Sequence, residues 1–216
     1  MMKKHLWLLL ALCLLLSACG KQPQEPDQPD TPDTPPIQIQ TPEETPPSGE
    51  KEELILLDRL TVELVVDWED SDRILSQLEE LSRLLSRALA GQDCQVEDVT
   101  VTISTAGGFT AEALAEGGVD VAFLPAVDYV ASEAGGQAVL TADEAFCTTV
   151  AAVTKARPEL DEAFCGALER AVLETDEGGS FLEIYRPGLV LVPASQEALD
   201  GVRAWLEEQE KLEEHG

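Results

Sequence analysis

Val119-Asp120-Val121-Ala122-Phe123-Leu124 constrains this chain more than any other stretch, because five of its six side chains are apolar and no polar alternation relieves them. A run this short suits a strand covered on both faces, which requires packed layers above and below it. The flanking sequence supplies those layers. Leu60 to Val66 is rich in β-branched residues and predicts a strand. Ile74, Leu75, Leu78, Leu81, Leu84, Leu85, Ala88 and Leu89 then recur at spacings of three and four, predicting one helix that stops at Gly91. Glu97 to Ser104 predicts a second strand. A glycine turn at Gly107-Gly108 and a helix of some ten residues through Ala113 and Leu114 lead to Gly117-Gly118. Strand, helix, strand, helix, strand is the order of an α/β domain with parallel neighbours and right-handed crossovers.

Beyond that core, Pro125 to Ala134 reads as a short helix, and Ala138 to Thr141 and Thr148 to Val153 as strands. Pro158 is expected in the first turn of a helix that buries Leu160, Phe164, Leu168, Ala171 and Val172. Phe181 to Tyr185 reads as a shorter helix and Leu189 to Val192 as an extended segment. Ala198, Val202, Trp205 and Leu206 mark a final helix with a charged outer face. The folded part is expected over residues 54–216, about 160 residues, enough for one core of ordinary size.

What precedes it is of another kind. Residues 19–53 hold nine of the thirteen prolines, many acids and few apolar residues, the composition of an extended, disordered tether. Residues 1–18 begin with Lys3 and Lys4, continue with an apolar run from Leu6 to Leu16, and end in Leu16-Ser17-Ala18 before Cys19. This resembles a bacterial lipoprotein signal peptide. The resemblance implies a diacylated (palmitate-type) Cys19 as mature N-terminus, and so a chain anchored by lipid to the extracytoplasmic face of the cell membrane. An ordinary signal peptide is the other reading.

Charge and residue usage exclude several classes of function. A formal charge of -28 repels nucleic acid and anionic lipid surfaces. The two histidines, His5 and His215, lie at the extremes of the chain, so neither a Ser-His-Asp or Cys-His nucleophile nor an HExxH zinc site can assemble. No catalytic residue, cofactor or metal is expected. Cys94, Cys147 and Cys165 lack CxxC spacing; a Cys147 to Cys165 disulfide and buried free thiols both remain open.

Ala113-Leu114-Ala115-Glu116-Gly117-Gly118 followed by Val119 to Pro125, and then Asp128-Tyr129, resembles the phosphonate/phosphite/phosphate ABC-transporter substrate-binding proteins of the type 2 periplasmic-binding fold. GLVLVPASQEALDGVRAWL is similar to their C-terminal segment. The resemblance implies an α/β, three-layer lobe with a mostly parallel central sheet flanked by helices, non-catalytic solute binding, and a permease partner. Family members carry a second lobe between the fourth strand and the return strand. Here Thr141 to Thr148 leaves no room for it, and the family's Ser-Thr-Ser-Gly helix start has no counterpart. The expectation is therefore a single lobe, with a non-transport interaction or dimerisation module as the alternative.

In open α/β sheets the ligand crevice lies at the carboxyl ends of the strands. Asp67 and Trp68 after the first strand, Ser104, Thr105, Phe109 and Thr110 after the second, and Asp128 and Tyr129 after the third are the candidate ligand-binding residues. Trp68 and Tyr129 offer stacking with a polar tip, or simple edge packing. Asp67 and Asp128 suit an amine-bearing compound, whereas Ser104, Thr105 and Thr110 suit a phosphonate-like anion or merely cap a helix. Gly117 is expected to end a helix at positive φ and Asp120 to open the buried strand, both structurally.

Overall fold

The computed structural model describes residues 54–132 and 135–214. The signal, Cys19 and the tether lie outside the described residues.

Six strands form one sheet in the order β2-β1-β3-β5-β4-β6. They are β1 (Ile55–Val65), β2 (Cys94–Ser104), β3 (Val121–Pro125), β4 (Gly136–Ala142), β5 (Thr149–Thr154) and β6 (Leu191–Pro193). The apolar run is thus an inner strand, paired parallel to β1 and antiparallel to β5. Because β2 and β3 run with β1, and β4 and β6 each oppose their neighbours, β1 to β4 point one way and β5 and β6 the other.

Side chains of a strand alternate between faces, and each face of β3 meets its own helical layer. Val121 and Phe123 join a core built with α1 (Ser71–Leu75), α2 (Leu78–Ala90), α5 (Glu162–Glu174) and α6 (Asp176–Tyr185). Ala122 and Leu124 join another with α3 (Gly107–Glu116), α4 (Ala126–Ala131) and α7 (Gln196–Glu214). Phe123 packs against Phe181 and Tyr185, with ring centroids 5.4 and 5.7 Å apart.

The entry to β3 is fixed by polar contacts. Gly117 ends α3 at φ 77°, a left-handed conformation that costs glycine little. Asp120 follows, buried, and its Oδ2 accepts the Thr61 N–H at 2.7 Å and pairs with Arg157 at 2.8 Å. This one carboxylate ties β1, β3 and the segment after β5 together.

Three expectations need correction. β1 and β2 begin earlier than their β-branched runs suggest, because Ile55 pairs with Cys94 and the register holds to Val65 and Ser104. The stripe from Ile74 to Leu89 is two helices, broken at Ser76-Gln77; a four-residue step from Ile74 to Leu78 preserves the stripe across the break. Pro158 lies outside its helix. Asp161 starts α5 by accepting the N–H groups of Ala163 and Phe164 at 3.0 and 3.2 Å.

Cys94, Cys147 and Cys165 are buried and unbridged, and burial pushes the first and last up to about 11. Only six residues, 143–148, join β4 to β5.

Two phenylalanines test the layering. Phe123→Ala should lower stability by about 3–5 kcal/mol in urea melts, the range for emptying a packed aromatic site, while Phe109→Ala at an exposed position should change it by under ~0.5 kcal/mol. Similar losses at both positions would contradict the two-layer core.

Candidate functional site

β1, β2, β3 and β4 all finish at one end of the sheet, so the segments that leave them meet there. Val65 lies beside Ser104, and Pro125 beside Thr149. This rim carries most of the residues expected to bind a ligand. Asp67 and Trp68 leave β1 in a tight 3-10 turn, Trp68–Asp70, that holds the indole 79% exposed. Thr105 is exposed after β2, and Phe109, in the first turn of α3, is 74% exposed.

Asp128 occupies a particular place. It is half-buried on α4, and a Cβ built on Gly107 would lie 2.0 Å from its Oδ2. The carboxylate therefore sits where any other residue at 107 would put a side chain, against the first turn of α3. Burial raises its pKa, while the positive end of α3 favours its ionised form. With a carboxylate already against that helix start, a second anion would meet like charge there.

The hydroxyls expected to hold an anion are largely committed. Thr110 is buried and donates to Glu63 Oε1 at 2.6 Å, placing it beneath α3 rather than on the rim. Ser104 Oγ accepts the Ala106 N–H at 3.1 Å and so braces the turn into α3. Tyr129 does not reach the rim. It follows Asp128 by one residue, about 100° around the helix, and faces the core. There its hydroxyl donates to the Gly136 carbonyl at 3.2 Å and accepts the Ala138 N–H at 3.1 Å, fastening the start of β4.

The structure adds groups that pattern reading passed over. The Tyr185 hydroxyl donates to the Val65 carbonyl at 2.9 Å, with the Phe123 carbonyl at 3.4 Å, and so bridges β1 and β3 from below the rim. Burial, opposed by the Arg186 charge and aided by that of Asp67, pushes this phenol up to about 12. Arg186 next to it donates to Thr149 Oγ1 at 3.0 Å and lies 5.7 Å from the Tyr185 ring centroid, bringing a cation to the rim. The signal for it was Arg186-Pro187-Gly188, a cation before a turn that returns the chain to the sheet.

No protein-family model and no curated protein sequence matches the chain. Solved structures do. XAC2383 from Xanthomonas citri, bound to chloride ion, is similar with a TM-score of 0.54 at 8% identity, covering 73% of this chain and 99% of that one. PhnD1 from Prochlorococcus marinus, in complex with methylphosphonate, gives 0.52 at 8% identity, covering 71% and 99%. The chain shares its fold with these two proteins. The rim lies at the carboxyl ends of β1 to β4, the end at which open α/β sheets place a ligand crevice.

Tyr129 and Tyr185 are the chain's two tyrosines, and burial raises the pKa of both, that of Tyr185 to about 12. Unfolded phenols ionise near 10, so the native state binds protons more tightly and loses stability as pH climbs from about 10 towards 12. Absorbance titration at about pH 10.5 should show less tyrosinate in native protein than in urea, where both phenols are mostly ionised. Matching native and denatured curves would contradict the burial of both rings.

Proposed function

We propose that this chain is a lipid-anchored, extracytoplasmic lobe that binds a small solute non-catalytically at the rim, as the substrate-binding component of an ABC importer. The observation that carries the reading is that Asp67, exposed after β1, and Asp128, held against Gly107, share one end of the sheet with the exposed rings of Trp68 and Phe109, in a fold shared with PhnD1. The chemistry favours a solute bearing an amine. Asp128 already lies against the start of α3, Thr110 is tied to Glu63, and an anionic group is left chiefly with Arg186 and the exposed Thr105. A phosphonate-like anion, as PhnD1 holds, would have to bind against the net charge of -28.

A second reading has its own support. The six-residue link between β4 and β5 leaves the rim without a second lobe among the described residues. Tight capture in two-lobed binders comes from closure that excludes water. A single lobe used for protein interaction or dimerisation would present such an open rim.

Thermal melts of the full chain with ethanolamine, choline and spermidine, and with methylphosphonate and phosphate, separate these. The solute reading predicts that at least one amine raises Tm and that Asp128→Asn removes the shift. Stabilisation by methylphosphonate or phosphate alone would contradict the amine preference. No response to any compound would favour the interaction reading.

A further inference from the structure

We propose that the rim is also a docking surface for a basic protein segment with interspersed apolar side chains. The proposal uses the same end of the sheet as the solute reading but does not require a solute to bind. Nine large apolar side chains are exposed among the described residues, and five of them are carried by segments at this end: Trp68 after β1, Phe109 after β2, Phe146 after β4, Val190 before β6, and Trp205 against Phe146. Phe146 and Trp205 stand edge to face with centroids 5.6 Å apart, and Val190 accepts the Asp143 N–H at 2.9 Å beside them. Concentration of exposed apolar surface in one place marks an interaction site, whereas scattered single residues would need no account.

Charge selects the occupant. Asp67, Asp143 and Glu144 are exposed on the segments that leave β1 and β4 at the same end. Of the arginines at this end, Arg73 is paired with Asp70 and bonded to the Ile184 carbonyl, and Arg186 is held by Thr149 Oγ1, a single cation against the three carboxylates. A second copy of this chain would bring -28 against -28. A basic segment meets the carboxylates with opposite charge and can set its cations over exposed aromatic faces. Distance sets its size. Phe109 follows β2 and Phe146 follows β4, four strand spacings apart in the sheet order, which is about 19 Å, or roughly six extended residues.

The test uses the full chain anchored in zwitterionic nanodiscs, with empty nanodiscs as control, titrated with a hexapeptide of alternating lysine and leucine and with its glutamate-leucine counterpart. Calorimetry should show binding of the lysine peptide only, weakened by salt and reduced tenfold or more in Trp68→Ala/Phe109→Ala, which keeps the net charge and, with both rings exposed, the melting temperature. Equal affinity in that double variant would reduce the effect to general acidity and overturn the proposal, as would no binding. A dimer detected by light scattering and lost in the double variant would make a second copy the occupant and also overturn it. An amine-dependent Tm shift without peptide binding would sink this proposal and leave the solute reading standing; the converse would do the opposite.

Discussion

The burial of β3 on both faces is the constraint on which the structure depends. A strand with Val121 and Phe123 on one side and Ala122 and Leu124 on the other cannot be satisfied by a single helical layer. Two layers follow, and with them the crossovers that bring the ends of β1, β2 and β3 together. Asp120 makes the arrangement specific as well as compact. Its carboxylate is buried with an N–H from β1 and a guanidinium as partners, and removal of the guanidinium would leave a buried charge without compensation.

The rim inherits its chemistry from this framework. Because α3 begins where β2 ends, its positive terminus faces the crevice, a place that would ordinarily draw an anion. Here Asp128, carried in by the turn from β3 into α4, lies against Gly107 at that terminus. One glycine and one aspartate thus put a carboxylate at the helix start where an anion would otherwise sit. Tyr185 and Arg186 complete the rim from the opposite layer, so both helical faces contribute to it.

Much of this was legible in the residues. The continuous apolar run announced the inner strand, and Gly117 and Asp120 were readable as the left-handed cap and the strand entry. Asp67, Trp68, Thr105, Phe109 and Asp128 follow from knowing which end of a parallel sheet collects loops. What escaped was decided by contacts that spacing does not encode. Periodicity could not see the break at Ser76-Gln77, since the stripe resumes in phase. Pro158 looked like a helix start, yet the Asp161 carboxylate won by capping two N–H groups. Tyr129 and Asp128 differ by one helical step, and that step separates core from rim. Arg186 was hidden because a lone cation before a turn has no partner in sequence; Thr149 becomes its partner only through the antiparallel pairing of β3 and β5.

Native-state hydrogen exchange, resolved by residue, tests the central claim most directly. If β3 is the doubly covered inner strand, the amides of Val121 to Leu124 and their neighbours in β1 and β5 should be the slowest in the chain, exchanging only through global unfolding. Exchange at Val121 to Leu124 as fast as in the exposed last turns of α7 would contradict the account.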